Sequence, residues 1–380
     1  MALGEDLSGH FIAMPLRFEV FGEQHIPAVT EFNRRMTEGR APSDFLLANC
    51  VEPPRTAASE PIQWTRYVVL DGEAVRGGLL QMDQPAWLNG QATRALNFQS
   101  PLSEGIVDPK YAAVAMQMVK YMQKQAEAVF MVGMGAIDRP LPKLLIASGW
   151  SVRPVPFLFR VHRAGNFISE LQMLKASPAK RMAAQIMRIT GIGTVALAYK
   201  QRRRADADAT IRRVDAWGDW ADEIWLRCRD NCSFAVLRDR RTLESLYPAS
   251  DPTNRIYLIE REGKPVGWSV CFNVRSDNHR HFGNLQVGSI LDCLAVPEAM
   301  ASSAILTDRE LAAEGADLVL VNHSHKAWME AFRSAGFLAG PSNYMLAISK
   351  KLRDALQSTP DGESRVHVTR GDGDGRIHLT

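Results

Sequence analysis

The sequence predicts a mixed α/β fold in which one unit is built twice, each copy a mixed, mostly antiparallel sheet flanked by helices. Three observations carry this reading. The order of strand and helix signals in the first half returns in the second. A tight-turn hairpin stands at the same place in each half, at Asp71-Gly72 and at Gly263. Each half also closes on a short helix stopped by a glycine before an aromatic residue, Gly149-Trp150 and Gly336-Phe337. A chain of 380 residues is too long for one ordinary core, and two units suit it.

In the first half, "LRFEV" reads as a strand. "QHIPAVTEFNRRM" follows as an amphipathic helix with Ile26, Val29, Phe32 and Met36 on one stripe. The hairpin "TRYVVLDGEAVRGGLLQM" comes next, then a long strand, "ATRALNFQSPLSEGIV", leading through Pro109 into the helix "AAVAMQMVKYM". "AVFMVGMG" is a buried-type strand, "PLPKLLIASGW" a short helix, and "SVRPVPFLFRVHR" a final strand. The second half repeats the order. The strand "TIRRV" precedes two helices, "WGDWADEIWLRCRD" and "FAVLRDRRTLESLY", and the hairpin "RIYLIEREGKPVGWSVCF". "NLQVGSILDCLAV" then leads through Pro297 into "ASSAILTDRELAAEG". "ADLVLVN", "HKAWMEAFRSAGF" and "NYMLAISKKL" close the copy as strand, helix and strand. The expected division is a tail over 1–13, a first unit over 14–165, a basic helical linker over 166–208, a second unit over 209–350, and a tether with a C-terminal β-hairpin over 351–380.

Composition is that of a globular protein, 46% hydrophobic and 23% charged. A net charge of +3 does not by itself imply a nucleic-acid partner. No apolar run approaches the length of a membrane span, and the N-terminus lacks a signal peptide's order of charge and apolar residues, so the expected location is cytoplasmic. Five scattered cysteines, Cys50, Cys228, Cys232, Cys271 and Cys293, complete no ligand cluster. Reduced thiols and no metal are expected.

The segments "GIVDPKYAAVAMQMVKYM" and "LDCLAVPEAMASSAILTDREL" each join a strand end to a helix start through a proline. With the later "LPKLLIASGW" and "AWMEAFRSAGF", they give the chain its resemblance to the GNAT family of N-acyltransferases, present in tandem over roughly residues 14–163 and 209–350. The resemblance implies that backbone N–H groups from Val107 and the turn Ala112, Ala113, Val114, Ala115, Met116 and Gln117 hold the pyrophosphate of acetyl-CoA or another acyl-CoA. Ala112 stands where the family has a basic or amide residue, and Ala115 and Gln117 stand at its glycines. The matching turn of the second half has no glycine, although Ser302 and Ser303 are small. The family's tyrosine acid is matched by Leu145 and Phe332, neither of which donates a proton.

Transfer to an amine needs a base, and two carboxylates stand at matching places. Glu104 lies at the end of a polar strand beside Asn97, Gln99 and Ser103. It reads either as a site residue beside a bulge or as a solvated residue on a loop opened by Pro101. Asp292, alone inside "ILDCLA", is either a catalytic carboxylate or one half of a salt bridge across the two domains. His325, in "NHSHKAW", is a candidate for substrate binding, with Asn322 and Ser324 expected to cap the following helix.

Residues 170–213 hold ten basic and three acidic side chains. With its apolar stripe, the stretch over 175–204 reads as a peripheral contact with an anionic membrane or as a connector helix between the domains. "RVHVT" and "RIHLT" flank a Gly/Asp loop and read as a β-hairpin; Asp372 and Asp374 do not complete a calcium loop. The leading functional expectation is an acyltransferase. It would move an acyl group from an acyl-CoA bound in the first half to an amine of a small-molecule or sugar-derived acceptor. The alternatives are a non-catalytic tandem scaffold, or an aminoacyl transferase fed by aminoacyl-tRNA, which would show a broad basic face.

Overall fold

The computed structural model describes residues 16–41, 47, 60–170, 205–279 and 282–373. The linker 175–204, Cys50, and the second arm of the expected C-terminal hairpin fall outside them. The chain packs as two compact units. The smaller draws on Met1–Arg55, Trp64–Gln81 and Ser100–Met122, and the larger on the remainder.

In the smaller unit β1 (Arg17–Val20) lies antiparallel on β2 (Gln63–Asp71), with Arg17 opposite Leu70. Helix α1 (Ile26–Glu38) turns Val29, Phe32 and Met36 inward at helical spacing, against Val68, Leu70 and Val75. The turn at Gly72, with φ +59°, is open to glycine without strain and passes the chain into β3 (Ala74–Leu88). Strands β3 and β4 (Gln91–Ser103) begin in one unit and end in the other, as does α2 (Ala112–Lys124). Ser100, at φ +45°, puts a left-handed residue just before Pro101 in β4, which kinks the strand before it ends.

The larger unit holds the rest of the first copy: β5 (Ala128–Gly133), α3 (Pro140–Ala147), β6 (Ser151–Pro154), β7 (Phe157–Val161) and α4 (Ala164–Glu170). The second copy runs β8 (Ala209–Val214), α5 (Trp220–Cys228), β9 (Phe234–Val236), α6 (Arg240–Leu246), β10 (Arg255–Arg261), β11 (Lys264–Arg275) and β12 (Gln286–Ala295). It continues through α7 (Met300–Ala313), β13 (Leu318–Asn322), α8 (Lys326–Ser334), β14 (Leu338–Gly340) and β15 (Met345–Ile348). Helix α9 (Lys350–Gln357) and β16 (Val366–His367) follow.

Three expectations need correction. "FAVLRDRRTLESLY" is not one helix: Phe234–Val236 pairs as a strand, and the helix starts after Asp239, whose carboxylate accepts from the Thr242 N–H at 2.8 Å. "SVRPVPFLFRVHR" is two strands on two sheets, broken at Val155-Pro156, where proline has no N–H to give a ladder. β7 pairs with β13 and β14 of the second copy, while β15 inserts between β5 and β6 of the first. Each copy thus lends the other its last strand. Third, residues 358–364 are no loose tether. Hydrogen-bonded turns at Gly362–Arg365 and Arg370–Asp372 flank β16, which runs parallel to β9.

The second sheet is ordered β14-β7-β13-β12-β11-β10-β8, antiparallel except where β12 lies parallel to β13. That parallel pairing covers only Val287–Ile290 against Leu318–Val321. Val270 then faces Asp292 while Cys271 faces Ile290, so Leu291 is an extra residue on β12. Beyond this bulge β12 stays on β11 and leaves β13, which opens a gap at the carboxyl ends of two parallel strands. Ligands of α/β folds collect at such places. Among the described residues no helix is long and apolar enough to cross a membrane. Cys228, Cys232, Cys271 and Cys293 are free and buried, and burial raises the Cys228 and Cys232 thiols to about 12, which leaves them inert.

Candidate functional site

In the smaller unit, β4 ends at Ser103, whose hydroxyl accepts from the Gly105 N–H at 3.1 Å. Glu104 follows, 3% exposed, in a single 3₁₀ turn. Both its oxygens are taken. Arg35 of α1 approaches through Nε at 2.7 Å and Nη2 at 3.0 Å. Arg76 of β3 approaches through Nη1 at 3.0 and 3.2 Å. Arg76 also lies 4.0 Å over the Tyr111 ring, and Arg35 Nη2 donates to the Val75 carbonyl at 2.7 Å. Glu104 therefore ties α1, β3 and the entry to α2 together.

That entry is the expected pyrophosphate seat. Val107 is half-buried against Gly39, where a Cβ would strike its side chain. Asp108 caps the 3₁₀ turn Pro109–Tyr111, its carboxylate accepting from the Lys110 N–H at 3.0 Å. At the start of α2, Ala112 and Ala113 are exposed and carry only methyl groups, and the Ala112 N–H donates to the Pro109 carbonyl of the preceding turn. Val114 is buried, and Ala115, Met116 and Gln117 are half-buried. The carboxylate at this entry, Asp108, is engaged in capping the turn.

The matching turn of the second copy differs. Met300, Ser302 and Ser303 at the start of α7 are all under 7% exposed. Asp206 covers them: its N–H donates to Ser302 Oγ at 3.0 Å, and its carboxylate accepts from Ser302 Oγ at 2.8 Å and pairs with Arg261. A carboxylate of the chain itself lies where an anionic ligand would bind, so this turn does not fit a pyrophosphate.

In the larger unit, Asp292 is fully buried on β12. Arg238 Nε lies 2.7 Å from its Oδ2, and Tyr247 Oη donates to the same oxygen at 3.0 Å. Its Oδ1 accepts from the Cys293 N–H at 2.9 Å and lies 3.5 Å from His367 Nε2. Burial alone would raise this carboxyl's pKa, but the Arg238 charge and the His367 and Tyr247 contacts outweigh it and hold it below the usual range. Arg238, itself 0% exposed, binds Asp372 Oδ1 through Nη2 at 2.7 Å. Asp292's ion pair is thus made within its own copy and to the C-terminal segment, not across the two halves. Asn97 joins the same network, its amide donating to the Asp372 carbonyl at 2.6 Å. Gln99, half-buried on β4, leaves its amide nitrogen without a partner among the described residues.

His325 caps α8, a role expected of Asn322 and Ser324. Its Nδ1 accepts from the Ala327 N–H at 3.2 Å, and its Nε2 meets the Asn231 carbonyl at 3.0 Å. Both ring nitrogens are used in the neutral form, and burial lowers the pKa to about 4. Burial also holds His323 well below its ordinary value. The unfolded chain binds a proton near pH 6.5 that the folded chain refuses, so stability falls as pH drops from about 6.5 toward 4. His325→Asn keeps a capping side chain and removes the titration. It is expected to flatten that slope, recovering about 2–3 kcal/mol at pH 4. Urea unfolding followed between pH 7 and 4 checks this.

Leu145 and Phe332, at the family's acid position, are both 0% exposed in apolar packing. Among the described residues no group of three or more His, Cys, Asp or Glu side chains could hold a metal. The expected residues therefore fall into two groups. Ser103, Glu104, Val107 and Ala112–Gln117 lie in the smaller unit, and Asn97, Gln99, Asp292 and His325 lie in the larger. Sequence reading missed Arg35, Arg76, Arg238, Tyr247, His367 and Asp372. The one signal among these was the doubled Arg-x-His-x-Thr pattern around His367.

No family model matches the sequence, and no curated protein does. Solved structures do match in fold. The chain is similar to the Saccharomyces cerevisiae N-myristoyltransferase with bound myristoyl-CoA, at TM-score 0.51 and 9% identity, over 89% of this chain and 84% of that one. It is also similar to a GCN5-related N-acetyltransferase from Anabaena variabilis, at TM-score 0.50 and 12% identity, over 87% and 72%. At such identities the likeness is one of fold.

Proposed function

We propose that this chain, a tandem GNAT protein by its fold, is an N-acyltransferase with one acyl-CoA seat, at the start of α2 in its first copy. The observation that carries the reading is the contrast between the two helix starts. The first leaves Ala112 and Ala113 exposed, and the second is buried under Asp206. The Ala112 N–H is spent on the Pro109 carbonyl, so the N–H groups that follow it at the start of α2 would hold the pyrophosphate, together with the helix dipole. In the reaction the acceptor amine attacks the thioester carbonyl, the C–S bond breaks, the coenzyme leaves as a thiolate, and the amine's proton passes to a base. The acceptor class is an amine on a small molecule or a sugar-derived precursor.

One observation favours a second reading, a tandem GNAT-like binding module without transfer. Glu104 has both oxygens engaged by arginines, Asp292 has one held by Arg238 and the other by the Cys293 N–H, and Leu145 and Phe332 supply no acid. Thermal unfolding with acetyl-CoA and with free coenzyme A tests both readings. The transfer reading predicts that ligand at about 100 times its dissociation constant stabilises the protein by about 2.7 kcal/mol. It also predicts slow thiol release that an added amine accelerates. A shift with no thiol release supports the binding module, and no shift at millimolar ligand refutes both.

A further inference from the structure

We propose that the gap between β12 and β13 is a peptide-binding groove, and that its ligand is the chain's own C-terminal segment, Val366–Gly373. This inference is independent of acyl transfer. The groove recognises an extended peptide in which a Gly-Asp-Gly sequence follows a β-strand.

The backbone is bound first. Val366 and His367 pair in parallel with Phe234 and Ala235 of β9, and Thr369 bridges to His323 at the end of β13. The Ser324 N–H donates to the Val368 carbonyl at 3.0 Å, while Ser324 Oγ accepts from the Val368 N–H at 2.9 Å and donates to the Val366 carbonyl at 2.5 Å. Strand alternation then sorts the side chains. Val366 and Val368 enter an apolar cluster with Phe130, Phe234, Leu346 and Ile348, while His367 faces Asp292 and the His323 ring.

Specificity comes from the next four residues. The Arg370 carbonyl accepts from Tyr344 Oη at 3.1 Å, and its guanidinium donates to Asn322 Oδ1 at 3.1 Å. A Cβ on Gly371 would strike Tyr247 Oη, and one on Gly373 would strike Tyr344 Oη, so neither position admits a side chain. Between them, the Asp372 carboxylate reaches Arg238 at the bottom of the groove, and its other oxygen accepts from the Thr369 N–H at 2.8 Å. The mode is strand addition with a carboxylate read by a buried arginine. Filled this way, the gap is closed to any other ligand.

Cleaving the tether in the folded full chain tests the proposal. A protease site inserted between Ser358 and Thr359, at an exposed turn, lets purified protein be nicked. The fragment is expected to stay bound through gel filtration and to exchange with added synthetic peptide 362–380. Peptides carrying Asp372→Asn or Gly371→Ala are expected to bind about 100-fold more weakly or worse, and the uncut chain is expected to take up no peptide. A fragment that separates at once, equal binding of all three peptides, or uptake by the uncut chain overturns the proposal. If nicking unfolds the protein, amide exchange on the intact chain decides: protection of the Val368 N–H is expected to drop in both variants, and unchanged protection in both overturns the proposal.

Discussion

Arg238→Met is expected to cost about 3–5 kcal/mol of stability at neutral pH, because removing one member of a buried ion cluster strands the others. Arg238, Asp292 and Asp372 are each at most 2% exposed, and the arginine is the one cation bound to both carboxylates. Without it the folded state holds two carboxylates it can keep only by protonating them. Burial would then lift the Asp292 carboxyl above the unfolded value of about 3.9, so the variant loses stability as pH rises through that pKa and regains it in acid. The deficit against the parent protein should therefore shrink as pH falls toward 4. Urea unfolding of both proteins at pH 7 and pH 4 measures this, and a deficit independent of pH would contradict the assignment.

Glu104→Gln has the next largest effect, an expected loss of about 2–4 kcal/mol, smaller because Arg35 and Arg76 keep some water contact. As a tie between α1, β3 and the turn into α2, Glu104 should couple to Arg35. A double-mutant cycle with Arg35→Met is expected to give more than about 1 kcal/mol of interaction energy. If Glu104 were instead the base, its glutamine variant would keep the parent's stability and lose turnover. Unfolding curves and transfer rates on the same preparations separate the two roles.

Local signals were legible in the sequence, and partner choice was not. The hairpin turns at Gly72 and Gly263, the α1 stripe and the helix stops at Gly149 and Gly336 are set by neighbours a few residues apart, and all are present. The exchange of β7 and β15 depends on which distant strand offers the better edge, and no periodicity records that. Asp292 was legible as a group needing a partner, since a lone carboxylate in "ILDCLA" must be paired if buried. Its partner was not, because Arg238 stands two residues from the exposed Arg240 in the run "LRDRR", and nothing local says which arginine faces inward. The same limit hid Arg35 and Arg76 behind Glu104. The two helix starts read alike as small-residue turns, and only packing shows Asp206 over one of them.

Calorimetric titration of the full chain with acetyl-CoA counts its acyl-CoA seats, run beside the variant Ala113→Glu, which puts a carboxylate at the exposed start of α2. The predicted result is one site per chain, weakened by at least about 10-fold in the variant, a change of about 1.4 kcal/mol. Two sites per chain, no binding, or one site indifferent to Ala113→Glu would contradict it.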